Sequence, residues 1–287
     1  MYPVAFEYHR AGSVEEAVAL LARYGEWAKL IAGGHSLLPL MKLRLAEPRH
    51  LVDIRRIPGL SGVREENGGL VVGAATPHYL LERSAVVRQK LPILSDAAGQ
   101  IGDPQVRNMG TIGGSLAHAD PAADLPAVML AVGAELVAVG PKGKRTLPVD
   151  GFFVKLLDTA LRPGEVLTEV RIPLPGPGTG GAYAKFPHPA SRYAVVGVAA
   201  MVSVASRKIT AARVAITGVA SKAMRASGTE SALVGRPAES STLTAAAEKA
   251  TEGLTPRPDP RMDPDYWRAL AVAFTRRALA TAVERAG

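Results

Sequence analysis

Lys29-Leu30-Ile31-Ala32-Gly33-Gly34-His35-Ser36-Leu37-Leu38-Pro39 decides how this chain is to be read. A short apolar run stops at paired glycines and resumes at Leu37, Leu38, Leu40, Met41 and Leu43, so the stretch predicts a strand, a tight glycine loop and a helical turn. Glycine lets backbone N–H groups approach an anion with no Cβ in the way, and Ser36 adds a hydroxyl donor beside them. About eighty residues on, Gly110-Thr111-Ile112-Gly113-Gly114-Ser115 makes a second glycine loop that also ends in a serine. Either loop alone is open to the plain reading of a tight turn. Two of them can converge on one pyrophosphate, each offering N–H donors to a different phosphate. Neither continues as Gly-Lys-Ser/Thr and neither has the three-glycine Rossmann spacing, which argues against a nucleoside triphosphatase and leaves a dinucleotide to some other fold. The remaining glycine pairs need no ligand: Gly68-Gly69 follows Asn67 in a hairpin signal, and Gly180-Gly181 falls in a Pro/Gly-rich linker.

Outward from the first loop, Ala5 to His9 reads as extended, and a helix begins at Ser13 with Glu16 in capping-box spacing. Leu51 to Ile54 is a short strand, and Leu60 to Arg64 with Leu70 to Gly73 flank a hairpin turn. Pro77 to Arg83, Val86 to Gln100 and Asp124 to Val132 read as helices; Glu135 to Val139, Lys144 to Leu147 and Val166 to Pro173 read as strands. Pro173 to Gly181 predicts a boundary. Beyond it Val195 to Ala205 and Ile209 to Thr217 are β-rich, while Ser231 to Gly253 and Tyr266 to Ala286 are Ala-rich and helical, the last capped by Asp263 before Pro264.

Composition narrows the functions. None of the 287 residues is cysteine, which excludes disulfides, thiolate zinc sites, cysteine-ligated iron–sulfur clusters and a cysteine nucleophile, so any redox chemistry needs a bound cofactor. The charge of +8 is carried by single or paired basic residues with only 5% aromatics, unlike a nucleic-acid groove, and a solvated or partner-covered surface is the expectation. No apolar stretch reaches the roughly eighteen residues of a membrane span, and Met1–Arg10 lacks the pattern of a signal peptide, so a cytoplasmic protein without a membrane span is expected. The serines lack the Gly-x-Ser-x-Gly elbow of a hydrolase, and Pro121 interrupts any helix that would gather His118, Asp120 and Asp124 into a metal site. No catalytic residue and no metal ligand is assigned.

With Ile101-Gly102-Asp103-Pro104-Gln105-Val106-Arg107-Asn108 between them, the two loops resemble those of the FAD-binding medium subunits of molybdenum hydroxylases, the xanthine oxidase family, and above all its aerobic carbon monoxide dehydrogenase branch. The likeness runs from Phe6-Glu7-Tyr8-His9 into the C-terminal helices. It implies an α+β fold: an FAD-binding region of the PCMH (vanillyl-alcohol-oxidase-like) type over residues 1–176, with subdomains of about 1–57 and 58–176. A smaller α+β domain of the carbon monoxide dehydrogenase flavoprotein type follows over 177–287. The resemblance implies that Ala32, Gly33, Gly34, His35 and Ser36 hold the FAD pyrophosphate together with Gly110, Thr111, Ile112, Gly113, Gly114 and Ser115, with Ile101 also in the cofactor site. By the same likeness Asp124 accepts from the ribose or adenine side, Leu167 lies beside the flavin, Lys185 near its pyrimidine edge and Tyr193 against its face.

From the residues alone, Asp124 is equally a helix N-cap, Lys185 a surface lysine and Tyr193 an interdomain tyrosine. Phe186-Pro187-His188-Pro189 stands where carbon monoxide enzymes carry a basic stretch, so the likeness names no substrate. The resemblance further implies [2Fe-2S] clusters on a small partner subunit and a molybdenum cofactor on a large one, in a dimer of heterotrimers. Two readings stay beside it: a stand-alone flavin oxidase or reductase of the same fold, and a non-redox module that binds a phosphate ligand.

Overall fold

The computed structural model describes residues 2–256 and 262–287. The chain first builds a small parallel sheet from β1 (Glu7–Arg10), β2 (Ala28–Ile31) and β3 (His50–Asp53), in the order β1-β3-β2. Between these strands run α1 (Val14–Tyr24) and α2 (Leu37–Lys42). The Ser13 side chain accepts from the Glu16 N–H, and the Glu16 carboxylate returns to the Gly12 N–H at 2.7 Å, which ties down two donors at the start of α1. Ala17 on the inner face of α1 packs with Val52 and Ile54, and Val18 and Leu21 lie against them.

The second part is a five-stranded antiparallel sheet of β4 (Val63–Glu66), β5 (Gly69–Gly73), β6 (Glu135–Gly140), β7 (Gly143–Pro148) and β10 (Val166–Pro173), ordered β4-β5-β10-β6-β7. The small hairpin β8 (Phe153–Lys155) and β9 (Asp158–Thr159) stands beside it. Six helices lie between β5 and β6: α3 (His78–Arg83), α4 (Ala85–Lys90), α5 (Pro92–Gly99), α6 (Pro104–Met109), α7 (Ile112–His118) and α8 (Asp124–Val132). All nine residues of α8 are buried, as the unbroken apolar run from Leu125 to Val132 requires, and Asp124 at its start is buried with them.

The C-terminal part is an antiparallel sheet of β11 (Thr179–Pro187), β12 (Ala194–Ala205), β13 (Lys208–Thr217) and β14 (Met224–Arg225). Helices α9 (Ser227–Leu233), α10 (Ser240–Ala247) and α11 (Pro264–Ala286) cover one of its faces. Trp267 of α11 is 2% exposed and donates its indole N–H to Val195 O at 3.0 Å, so truncating it to Ala would cost about 3–5 kcal/mol.

Several expected elements move. Gly180-Gly181 is not a linker but part of β11, where a Cβ on Gly180 would strike the α11 backbone at Ala282, so glycine there is a seat for the helix. The helix expected over Val86–Gln100 breaks at Leu91, because Pro92 bars the residue before it from helical backbone. The segment expected as one helix from Ser231 to Gly253 is two, parted around Gly235-Arg236-Pro237. The first strand is Glu7–Arg10 rather than Ala5–His9, and the first hairpin strand begins at Val63 because Leu60 turns into the core instead. The hairpin turn itself is as expected, with Asn67 and Gly68 both at positive φ.

Candidate functional site

A cavity of about 1080 Å³ opens where the three parts meet, just above the range for small-molecule sites of about 300–1,000 Å³. Of the residues singled out from the sequence, all but Ile112 and Lys185 line it.

The first glycine loop leaves β2 and enters α2. A Cβ on Gly33 would collide with the backbone of Met109 and Gly110, so glycine here is what lets the two glycine segments touch. Gly34 stands at φ +73°, a left-handed conformation that side chains rarely adopt. His35 donates Nδ1–H to Gly33 O at 2.9 Å, the carbonyl fixing the tautomer. Leu38 N–H turns back to Gly34 O at 2.9 Å. Among the described residues, no hydrogen bond takes up the backbone N–H of Gly33, Gly34, His35, Ser36 or Leu37. Five consecutive unpaired donors on a cavity wall form a nest for an anion.

The second segment is built differently. The expected loop at Gly110–Ser115 is for the most part the first turn of α7, with Thr111 as N-cap. Thr111 Oγ1 accepts from Gly114 N at 3.0 Å, Ile112 N donates to Thr76 O at 3.1 Å, Gly113 N to Ala74 O at 2.8 Å and Ser115 N to Thr111 O at 3.0 Å. Five of its six backbone donors are consumed inside the protein, Gly110 N going to Val106 O; among the described residues no hydrogen bond takes up Thr111 N. Ile112 is wholly buried and Gly113 lies against Ala74, while Gly114 is exposed to the cavity. The side chains of Thr111 and Ser115 and the surface of Gly114 are what this segment presents.

Behind the wall sits a buried charge cluster. Asp124 does not cap α8, since Ala123 holds the cap position; instead its carboxylate accepts from Tyr183 Oη at 2.5 Å and from Lys185 Nζ at 3.0 Å. Lys185 also donates to Gln100 O at 3.1 Å, and its side chain is 2% exposed. It is therefore no surface lysine, and it meets the cavity only through Asp124. Burial pushes the Asp124 carboxyl up, against the lowering pull of the Lys185 ammonium and the Tyr183 hydroxyl. The Tyr183 phenol is driven well above its usual value by burial and by Asp124. The segment before Asp124 is held from the C-terminal sheet: Thr217 Oγ1 donates to Pro121 O at 2.8 Å and Gly218 N to the same carbonyl at 2.7 Å.

The connection from β11 to β12 closes one side of the cavity through Ser191, Arg192 and Tyr193. Arg192 packs so tightly on Gly102 that a Cβ there would strike it. The Tyr193 phenol is raised by burial and by the Asp120 and Asp124 carboxylates, while the Ser36 hydroxyl pulls it down. Leu167 lines the wall at a bulge in β10, and Ile101 lines it half-buried.

Sequence reasoning missed Tyr183, Gln100 and His78. His78, 5% exposed, lines the cavity beside Gly110, and burial with His35 and Arg107 nearby lowers its imidazole to about 4. A single Tyr or Gln in a strand or helix carries no spacing signal that would have revealed them. His118, Asp120 and Asp124 form no group of metal-ligand geometry among the described residues. No helix of the described residues is long and apolar enough to cross a membrane.

Residues 4–175 match the family described as the FAD binding domain in molybdopterin dehydrogenase, and residues 181–282 match the CO dehydrogenase flavoprotein C-terminal domain. The chain is 46% identical over 285 residues to the carbon monoxide dehydrogenase medium chain of Hydrogenophaga pseudoflava, covering 99% of each. It is 41% identical over 287 residues to the 6-hydroxypseudooxynicotine dehydrogenase complex subunit alpha of Paenarthrobacter nicotinovorans, covering 100% of this chain and 97% of the other. The solved carbon monoxide dehydrogenase from Hydrogenophaga pseudoflava that lacks the Mo-pyranopterin moiety superposes with a TM-score of 0.96 at 47% identity, covering 99% of each chain. The fold is thus an FAD-binding domain followed by a C-terminal flavoprotein domain. The chain belongs to the FAD-binding medium subunits of molybdenum hydroxylases and is an oxidoreductase subunit that carries FAD. The donor nest suits a pyrophosphate and the cavity suits a ligand of dinucleotide size, so the residues present fit that cofactor.

Proposed function

We propose that this chain is the electron-transfer subunit of a molybdenum-containing hydroxylase, standing between [2Fe-2S] clusters on a small partner subunit and an external acceptor, a quinone, O2 or NAD. The observation that carries the reading is the pairing of a donor-rich cavity with a chain of no cysteine: this polypeptide holds FAD but cannot ligate a cluster through cysteine. Bound there, FAD supplies the chemistry of taking up electrons singly and releasing them singly or in pairs.

The chain's own residues bind, orient and cover. The N–H groups of Gly33 to Leu37 take the pyrophosphate, with Ala32 at the loop's entrance. The platform of Gly110 to Ser115 presents Thr111, Gly114 and Ser115 beside it. Asp124, held rigid by Tyr183 and Lys185, accepts from the ribose or adenine side; Lys185 sets the charge of that wall from behind. Ile101, Leu167 and Tyr193 form the walls along the ring. No residue serves as acid or base on the hydroxylase substrate, which reacts on a large molybdenum subunit of a cytoplasmic dimer of heterotrimers. Domain limits at residue 176 and within it near 57 accompany this reading.

Expression of the chain alone and with its genomic neighbours tests the proposal. Alone it should be yellow, with one FAD and no turnover of aldehydes, N-heterocycles or carbon monoxide; with its neighbours it should co-purify with iron and molybdenum. Turnover by the chain alone, free of both metals, would overturn the proposal.

A further inference from the structure

Glu7 and His9 lie about forty residues from His50 in sequence and beside it in space. Glu7 and His9 are two apart on β1 and so share one face, and Glu7 is the register partner of His50 on β3. His9 Nε2 and His50 Nδ1 are 3.1 Å apart, and one carboxylate oxygen, Glu7 Oε2, is 3.7 Å from the first and 3.4 Å from the second. A point equidistant from atoms so separated lies about 2.0 Å from each, which is the length of a zinc bond to imidazole nitrogen or carboxylate oxygen, about 2.0–2.2 Å.

We propose that Glu7, His9 and His50 bind a divalent late first-row metal ion, with zinc as the reference ion. A proton shared between the two imidazoles accounts for their separation alone. It leaves the carboxylate too far from either ring for a hydrogen bond, whereas one cation engages all three atoms. Two imidazoles and a carboxylate are the donor set of zinc and its neighbours, and three protein ligands leave a further position for water.

The rings are held in advance. Tyr24 stacks on His50 at 3.7 Å between centroids and 13° between planes, and on His9 at 5.1 Å and 26°. The imidazole side chains are only 16% and 21% exposed, while Glu7 at 70% keeps a path to solvent. None of the three lines the large cavity. The ion would clip β1, which lies at the edge of its sheet, to the central strand β3.

The test is direct: full-length protein is stripped with chelator, dialysed and titrated with zinc chloride, bound metal being counted by mass spectrometry. One equivalent per chain is expected, with a rise in the unfolding temperature on zinc addition. His9→Ala and His50→Gln should bind at least about 100-fold more weakly, since even outer-shell changes cost 10–100-fold, and Glu7→Gln about 10-fold more weakly. Flavin content reports folding independently of zinc. A wild-type protein with no saturable equivalent, or a Glu7→Gln variant with full flavin and unchanged zinc affinity, would overturn the proposal.

Discussion

The two glycine segments share a composition and differ in almost everything else. The Gly33–Leu37 loop has its backbone donors free, and its glycines are there because the backbone of Met109–Gly110 passes against one of them and the other adopts a left-handed turn. The Gly110–Ser115 segment has spent every backbone donor but that of Thr111, on Val106, Ala74, Thr76 and Thr111 itself, and becomes a rigid floor. One is a receptor for negative charge, the other a support that the receptor leans on. A glycine pair in sequence is therefore evidence of close approach, and only the hydrogen-bond accounting says what is approached.

The largest expected effect separates the glycines by what a methyl group would meet. Gly33→Ala should strip the protein of FAD and cost about 1–3 kcal/mol of stability, since the added Cβ meets backbone that cannot rotate away. Gly114→Ala, whose Cβ meets only Thr111 Oγ1 at 2.9 Å, should hold stability within about 1 kcal/mol, because alanine favours a helix, and reduce FAD affinity several-fold. Equal losses of flavin and unfolding temperature in the two variants would break the distinction.

Acid should act on the floor. His78 donates its backbone N–H to Gly110 O, and its imidazole is lowered to about 4 from an unfolded value of 6.5. Between those values the unfolded chain binds more protons than the native one, so stability is full above about 6.5 and falls with pH down to about 4, by roughly 3 kcal/mol in total. Urea unfolding at pH 7 and pH 4.5 measures the slope, and His78→Phe should flatten it.

Two hydroxyls give the smaller tests. Thr111→Ala removes the α7 cap and should cost about 1 kcal/mol. Ser36 makes no capping bond at the start of α2, so Ser36→Ala should leave stability within about 0.5 kcal/mol and lower FAD affinity only a few-fold. A stability loss from Ser36→Ala as large as that from Thr111→Ala would contradict the roles given to the two segments.

Much of this was legible because it depends on neighbours in sequence. The strand, glycine turn and helix around Ala32–Leu38, the Asn67-Gly68 hairpin and the capped start of α1 all follow from local rules, and all are present. What escaped depends on partners far along the chain. Gly180 reads as a linker until α11 is laid upon it, and the Ile112–Ser115 donors look free until Ala74 and Thr76 are brought beside them. The cap reading of Asp124 stands level with the cofactor reading because Tyr183 and Lys185, about sixty residues away, give no local sign of meeting it. The His9–His50 pair escaped for the same reason: parallel pairing across β1 and β3 leaves no spacing to read.

Helix α8 belongs to both halves of the molecule. Seven of its nine buried residues join the same core as strand residues Leu136 and Val170 on one side and Ala199 and Ala215 on the other. The two halves should accordingly melt in one cooperative transition. Either half cut away alone would expose an apolar helix or the sheet that receives it, and a graft between relatives would have to carry α8 together with both of its seats. What looks like a chain of separable modules is thermodynamically one unit.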